Sequence, residues 1–291
     1  WNEYYALNYR RKPEFLGNTR TEERSEPVYN IVKDLPWSYR DIVDRLEKCE
    51  ALEKEIKDLS NQIKESNYAQ WYQLVEYPIL AMCAMNRKML GGQLARQGKE
   101  PWIKSTDAFN EIVSLTDKYN SILNGKWKYM MDYRPRGLPV FSPLDTTETS
   151  IPIPEPNGRS WNIKPSNGNY NTSSYTINEL GYSREALALN EGDIFTAKLP
   201  RSNNILNITI AFVPNHPTHT ERLQVKVMVE GEKPYYLNYE TYDRSEEWKN
   251  NVLRNQALRS FSIAPSSTER EISIQALTPA VILDELIIQS N

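Results

Sequence analysis

One segment combines residue types that can hold an acidic sugar. In residues 124–141, NGKWKYMMDYRPRGLPVF, aromatic residues interleave with basic ones. Aromatic rings pack on the apolar faces of ligands, and guanidinium groups bind carboxylates through paired hydrogen bonds. The candidate contact residues are Trp127, Tyr133, Arg134, Arg136 and Phe141. Two interpretations remain open: these residues contact a ligand, or they cap a helical bundle and pack against a neighbouring domain.

The rest of the sequence offers no recognisable catalytic or metal-binding pattern. Its two histidines, His216 and His219, lie in the polar stretch VPNHPTHTER, where Glu221 is the nearest acid. Zinc requires three or four convergent ligands, so a solvated loop is the better interpretation of this stretch. The sequence also contains no Gly-rich phosphate loop and no nucleophile elbow. We therefore assign no catalytic residue, no metal site and no cofactor.

Composition and charge exclude two classes of partner. The chain of 291 residues carries 35 Lys and Arg against 38 Asp and Glu, a net charge of -3, and its basic residues are dispersed. A nucleic-acid-binding surface is therefore not expected. The longest apolar run, residues 77–85, is about half of the roughly twenty residues that a bilayer-spanning helix needs. A membrane partner is not expected either.

The elements that must position the candidate segment begin with a long helix. Ile42, Cys49 and Ile56 recur at seven-residue spacing, and Ser38 with Asp41 predicts the N-terminal cap. The pattern fits either a dimeric coiled coil or an antiparallel hairpin within the chain, and the short break KESNYAQ favours the hairpin. Cys49 and the later Cys83 both fall inside helical patterns, which favours buried free thiols over a disulfide.

The next helix carries the most apolar stretch, LVEYPILAMCAMNRKML. Its predicted buried stripe comprises Trp71, Leu74, Val75, Pro78, Met82, Met85 and Met89. Apolar residues flank this stripe, as in a helix surrounded by other helices. Pro78 removes a backbone donor and predicts a kink over residues 74–77. Core packing is favoured over a cofactor-lining role. A further amphipathic helix starts at Ser105 and ends at Asn124-Gly125.

The pattern changes after the candidate segment. Prolines recur through residues 135–165, which predicts a linker over 142–172. Alternating apolar and polar runs follow, among them DIFTAKL, RLQVKVMVEG and REISIQAL, and they are typical of half-buried antiparallel strands. EEWKNNVLRN predicts a short helix between strands. The expected fold is an antiparallel helical bundle over 26–141 followed by an antiparallel β-sandwich over 173–291.

Several stretches, in this order, resemble the C-terminal half of glycoside hydrolase family 115. They are EYYALNYRRKPEFLG, AQWYQLVEYPILAMCAMNRKML, GKWKYMMD, EEWKNNVLRNQA and AVILDELIIQ. The family contains xylan α-glucuronidases, and the resemblance implies a helical bundle and a β-sandwich that accompany an N-terminal catalytic barrel. It also implies that residues 1–25 continue from that barrel and that the catalytic carboxylates lie outside this chain.

The resemblance sets the functional expectation. It favours an ancillary region that supports or dimerises the barrel of a carbohydrate-active enzyme with glucuronoxylan or related glycans as partners. It also implies a periplasmic, cell-surface or secreted location. Two alternatives remain open: an independent carbohydrate-binding module, and a structural interaction protein that binds no glycan.

Overall fold

The protein forms two compact units, Trp1–Pro156 and Asn157–Asn291. The computed structural model describes residues 1–17, 34–155, 158–217, 222–243 and 245–290. The first unit is helical and the second is built from two antiparallel sheets. This arrangement confirms the predicted order of a helical bundle and a β-sandwich.

Five helices and one π-turn make up most of the helical unit. They are α1 (Asn2–Arg10), α2 (Tyr39–Ser60), α3 (Glu65–Trp71), the π-turn Tyr72–Glu76, α4 (Tyr77–Arg96) and α5 (Ile103–Gly125). Short 3-10 turns lie at Pro13–Phe15, Pro135–Gly137 and Pro139–Phe141. α4 is the central helix, because it packs against both α2 and α5 and is buried on nearly every side.

The start of α2 and its pairing with α4 follow the sequence pattern. Ser38 accepts a hydrogen bond from the Asp41 amide, and the Asp41 carboxylate accepts one from the Ser38 amide, which completes a capping box. Arg45 of α2 contacts Asn86 of α4, whereas Ser60 near the end of α2 contacts Glu76 just before α4. The two helices therefore run antiparallel within one chain, as the hairpin interpretation predicted.

The π-turn Tyr72–Glu76 directly precedes Pro78 and occupies the place where a kink was expected. A π-turn is a local widening of the helix that absorbs a disrupted hydrogen-bond pattern. Met82, Met85 and Met89 are buried as predicted. Leu74 is not, since 69% of it is exposed. Its assignment to the buried stripe was wrong. The wider π-turn rotates its residues relative to α4, so Leu74 does not continue the buried face of that helix.

The N-terminal residues belong to the helical unit rather than to a separate segment. Leu7 packs in the core cluster around Cys49 and Cys83, and Leu16 packs in a second cluster with Leu35 and Ile42. The predicted boundary between 1–25 and 26–141 therefore does not separate two bodies within the described residues. Cys49 and Cys83 are both buried and free, as expected.

The second unit stacks a six-stranded sheet on a five-stranded sheet. The larger sheet has the order β3-β4-β11-β6-β9, with β1 also paired to β11, and the smaller has the order β2-β5-β10-β7-β8. The strands are β1 (Arg159–Ile163), β2 (Asn169–Tyr170), β3 (Tyr175–Asn178), β4 (Glu185–Leu189), β5 (Ile194–Leu199), β6 (Leu206–Phe212), β7 (Gln224–Val229), β8 (Tyr235–Asn238), β9 (Ala257–Ile263), β10 (Arg270–Ala276) and β11 (Val281–Ser290). Helix α6 (Glu246–Arg254) precedes β9.

The predicted linker, 142–172, was too long. β1 and β2 fall inside it and pair with β11 and β5. β1 reads RSWNI and β2 only NY, so neither offers a long alternating run, and the nearby prolines concealed them. β1 shares one edge of β11 with β4, and a bulge in β11 between Leu283 and Glu285 separates the two pairings.

No helix within the described ranges is long and apolar enough to cross a membrane.

Candidate functional site

The candidate segment begins where α5 loses helical geometry. Leu123 and Asn124 adopt left-handed conformations with φ of 51° and 58°, and Gly125 follows with φ of 76°. Asn and Gly tolerate this region well, whereas a branched residue such as Leu123 is strained there. The helix ends at this point, as the Asn-Gly pair predicted.

The loop after the helix end folds back along α5. The Asn120 side chain accepts a hydrogen bond from the Met131 amide at 3.0 Å and donates one to the Met131 carbonyl at 2.9 Å. Trp127 and Met131 pack against the core around Cys83. Tyr129, between them, is 83% exposed and has φ of 68°, and the adjacent Met130 is also exposed. The loop therefore anchors two residues inward and presents two apolar residues to solvent.

A cleft of about 760 Å³ lies between this loop and the end of α5. It is lined by Thr116, Asp117, Asn120, Ser121, Asn124, Gly125, Lys128, Tyr129, Met131, Asp132 and Tyr133. Its two aspartates and one lysine make the lining negative at neutral pH. Such a cleft is a poor receptor for a carboxylate, because like charges repel.

The five predicted contact residues do not meet in this cleft. Trp127 packs on one core cluster, and Phe141 packs on the other, beside Val140 and Leu16. Tyr133 alone among the five lines the cleft, and its ring makes an edge-to-face contact with Phe109 at 6.2 Å. Arg134 and Arg136 are exposed outside the cleft lining. All five residues lie in one segment of the sequence. The left-handed conformation of Arg136, φ 59°, changes the direction of the chain before Phe141, so Phe141 does not lie beside the two arginines.

A buried lysine fixes the far end of the segment. Lys88 on α4 has an exposed fraction of 0%, and its Nζ donates to the carbonyl oxygens of Val140 at 2.6 Å and Ser142 at 2.8 Å. Burial lowers the pKa of Lys88 to about 7. The same Nζ lies 5.8 Å from the ring centroid of Phe109. Sequence reasoning missed this anchor, because a lysine in an amphipathic helix ordinarily lies on the solvated face.

A second aromatic surface lies on α1. The rings of Trp1, Tyr4 and Tyr5 contact one another at 5.2 to 5.9 Å, and Trp1 and Tyr5 are about half exposed. Arg45 holds α1 in place, since its guanidinium donates to the carbonyl oxygens of Leu7 and Arg11. Beside this surface, a cleft of about 530 Å³ reaches from α1 to Met82.

The sandwich has a cleft of its own, of about 510 Å³. It is lined by Gly158, Arg159, Trp161, Arg201, Ser202, Asn203, Asn204, Ser267 and Ser290. Sequence reasoning missed it, because part of it lies on β1, within the range assigned to the linker. The signal was present as the RSW tripeptide, in which an arginine and a tryptophan stand two residues apart.

Two adjacent carboxylates are buried in the sandwich at the bulge in β11. Asp284 accepts hydrogen bonds from the amides of Tyr182 and Ser183, and Gln256 donates to both Asp284 and Glu285. Burial, and secondarily the Asp284 charge, raise the pKa of Glu285. Glu285 also accepts a hydrogen bond from the side-chain amide of Asn162 on β1, so the pair joins the turn before β4, Gln256 and β1 to the bulge in β11 and has a structural role.

The remaining metal-ligand candidates do not form a site in the part of the chain that the structure describes. His216 is exposed in the connection between β6 and β7, whereas His219 and Glu221 lie outside the described residues. Across the described ranges, His, Cys, Asp and Glu form no group of three that could hold a metal ion.

The comparisons with known proteins agree with the two-unit fold. Residues 155–291 match the family model of the glycosyl hydrolase family 115 C-terminal domain. A solved family GH115 4-O-methyl-α-glucuronidase with specificity for decorated arabinogalactans is 38% identical over 99% of this chain, with a TM-score of 0.89. The chain covers 38% of that enzyme's own chain. No curated protein sequence matches.

Two weaker likenesses each concern less than half of this chain. The exo-β-1,3-galactanase from Phanerochaete chrysosporium is 16% identical over 45% of this chain and 29% of its own, with a TM-score of 0.35. A family 35 carbohydrate-binding module from Clostridium thermocellum is 8% identical over 46% of this chain and 99% of its own, with a TM-score of 0.36. These values are too low to support a functional argument.

The family model and the identity to the 4-O-methyl-α-glucuronidase together place this chain in glycosyl hydrolase family 115, with residues 155–291 as the C-terminal domain of that family.

Proposed function

We propose that this chain is the ancillary C-terminal region of a family 115 enzyme that removes glucuronic acid or its 4-O-methyl form from a plant polysaccharide. The observation that carries the proposal is the 38% identity to a 4-O-methyl-α-glucuronidase over 99% of this chain. Its own part is to support a catalytic domain, which carries the acid and base groups.

Decorated arabinogalactan is the first substrate to test. The related enzyme is specific for decorated arabinogalactans, whereas the family resemblance in the sequence pointed to xylan. Both polymers are branched glycans that present uronic acid groups, so the two substrates form the arms of one assay. A polymeric substrate of this kind is met outside the cytoplasm, which favours a periplasmic, cell-surface or secreted enzyme. Fractionation of the producing cells tests that location.

The helical unit offers two surfaces for docking the catalytic domain. One is the exposed pair Tyr129 and Met130 in the loop after α5, and the other is the aromatic cluster of α1. Interfaces between domains concentrate aromatic residues and Met at their buried centres. Tyr129 also has a left-handed backbone conformation, which is strained for a bulky residue, and such strain concentrates at functional contacts. The docking interpretation of residues 124–141 is therefore favoured over ligand contact.

The experiment compares variants of the whole enzyme. Tyr129→Ser with Met130→Ser is expected to shorten the half-life of uronic acid release at elevated temperature, because the catalytic domain loses part of its support. Tyr236→Ser, at a tyrosine on β8 in the sandwich that is also largely exposed, is the matched control. Equal half-lives for the double variant, the control and the wild type would refute docking through this loop.

A homodimer is a second proposed arrangement, and sedimentation velocity of the same proteins tests it.

A further inference from the structure

The cleft in the sandwich differs in charge from the clefts of the helical unit. Its lining contains two arginines, Arg159 and Arg201, and no aspartate or glutamate among the described residues. The cleft beside α5 has two aspartates against one lysine, and the cleft beside α1 has one glutamate against one lysine. The chain as a whole carries a net charge of -3. A concave site whose described lining residues carry only positive charge, on a protein of negative net charge, points to an anionic ligand.

The two arginines are available to that ligand. Both side chains are exposed, and within the described ranges neither forms an ion pair. A guanidinium group binds a carboxylate through two parallel hydrogen bonds, which fixes the orientation of the carboxylate as well as its position. Two such groups at one cleft can hold a single carboxylate between them or two carboxylates on neighbouring units.

The cleft also has an aromatic wall, formed by Trp161. Arg159 and Trp161 stand two residues apart on β1, so their side chains lie on the same face of the strand. Trp161 is partly buried against the sandwich core, which fixes its ring. Asn203, Asn204 and Ser267 add amide and hydroxyl groups beside it. An aromatic wall with neighbouring amide and hydroxyl groups suits a sugar ring better than a small inorganic anion.

The backbone around the cleft is fixed before any ligand arrives. Ser202 and Ser266 exchange two backbone hydrogen bonds at 3.0 and 2.8 Å, which joins the β5–β6 and β9–β10 connections. The Ser202 hydroxyl also lies 3.2 Å from the hydroxyl of Ser290, at the end of β11. Arg159 is directly opposite Ser290 in the pairing of β1 with β11. Four chain segments therefore converge on one site without a need for reorganisation, which reduces the entropic cost of binding.

From this geometry we infer that the sandwich binds a uronic acid unit of a polysaccharide in the cleft formed by Arg159, Trp161 and Arg201. The choice of a uronate among anions rests on the proposed function, whereas the cleft and its charge do not. The site would hold a glycan chain on the ancillary region while a separate catalytic domain acts on that chain.

Calorimetry with the 291-residue chain tests the inference. The probes are an oligosaccharide bearing 4-O-methylglucuronic acid, the same oligosaccharide without its uronic acid, and inorganic phosphate. We expect binding of the acidic oligosaccharide only. Arg159→Gln and Arg201→Gln should each weaken this binding about tenfold or more, which is the effect of losing a charge-assisted hydrogen bond. Lys198→Gln removes an equally positive and highly exposed side chain from β5 outside the cleft, and should leave binding unchanged.

Three results would overturn the inference. They are equal binding of the neutral oligosaccharide, equal binding of phosphate, and no heat with the acidic oligosaccharide at millimolar concentration. Uronic acid release by the whole enzyme is measured in parallel with the same arginine variants. Absent binding by the wild-type chain together with intact release by the wild-type whole enzyme refutes the cleft alone, whereas absent release by the wild-type whole enzyme refutes the proposed function.

Discussion

The Nζ atom of Lys88 lies 2.6 Å from the carbonyl oxygen of Val140, in a position with no exposed surface. This bond joins the central helix α4 to the 3-10 turn that ends the candidate segment. The acceptors of the amine, Val140 and Ser142, offer carbonyl oxygens, which carry no formal charge. The charged form of Lys88 is therefore poorly compensated, and the stability of the helical unit should depend on its proton.

The sign of that dependence follows from the pKa. Burial lowers the pKa of Lys88 from 10.5 to about 7 in the folded protein. Below pH 7 the folded state holds a charged, buried amine, which costs stability. Between about pH 7 and 10.5 the folded state loses this proton while the unfolded state keeps it. The free energy of unfolding should therefore rise with pH in this window, by up to about 1.4 kcal/mol per pH unit from this group.

Lys88→Met removes this titration. We expect the free energy of unfolding of the variant minus that of the wild type to be about 2 kcal/mol larger at pH 7 than at pH 9, so that the variant is relatively more stable at pH 7. Urea melts at the two pH values measure it. Lys104→Met, at an exposed position of α5, is the control and should give the same difference from wild type at both values. A pH-independent difference for Lys88→Met would show that the buried amine does not titrate as stated.

Met82→Ala should destabilise the helical unit by about 2–5 kcal/mol, because it empties a buried position on α4. The Sδ atom of Met82 also lies 3.1 Å from the Asn86 side-chain nitrogen, which the substitution leaves with fewer contacts. Leu74→Ala is the matched control, since Leu74 is exposed in the π-turn. It should change stability by less than about 0.5 kcal/mol. Equal effects in denaturant melts would mean that the buried face has been misplaced.

Arg45→Gln should release α1 without unfolding the bundle. The Arg45 guanidinium donates to the carbonyls of Leu7 and Arg11, and a glutamine side chain is too short to reach both. Limited proteolysis should then cleave the variant near Arg10 and Arg11 faster than the wild type. Arg40→Gln, on the exposed face of α2, should leave the cleavage rate unaltered. Unchanged protection of α1 in the Arg45 variant would assign its anchoring to Leu7 packing instead.

Gly181→Ala should destabilise the sandwich. Gly181 has φ of 80°, and a Cβ atom there would lie within 2.9 Å of the Asp284 carboxyl carbon. The substitution therefore meets both backbone strain and the buried Asp284 carboxylate, which accepts hydrogen bonds from the amides of Tyr182 and Ser183 just before β4. Gly231→Ala, at a similar φ of 82° with open space around it, separates the two effects. A Tm loss no larger at Gly181 than at Gly231 would remove the contact with Asp284 from the explanation.

The sequence predicted the elements whose patterns are long and local. α2 has a capping box and heptad spacing at Ile42, Cys49 and Ile56, and β5, β6, β7, β10 and β11 have apolar runs bounded by polar turns. Prediction from the sequence failed where tertiary contacts determine the local structure. β1 and β2 are stabilised by their neighbours rather than by their own composition, and Leu74 is exposed because a π-turn shifts the helical face.

Site residues were harder to predict than elements. Trp127 and Phe141 share one segment, yet they pack in different core clusters, since left-handed residues redirect the chain between them. Conversely, Arg159 and Arg201 are distant in sequence and meet at one cleft only because β1 pairs with the end of β11. Lys88 resembles any solvated lysine until α5 and the 3-10 turn cover it. Contacts of this kind are set by the fold and have no local signature.

We propose that this chain supports catalysis by another domain, and the catalytic activity of the isolated chain is the property to measure. The most direct measurement is the release of 4-O-methylglucuronic acid from decorated arabinogalactan and from glucuronoxylan, by the 291-residue chain alone and by the whole enzyme. We expect release by the whole enzyme and none above buffer by the chain alone. Release by the chain that survives repurification, and that is abolished by substituting one of its own carboxylates, would contradict it.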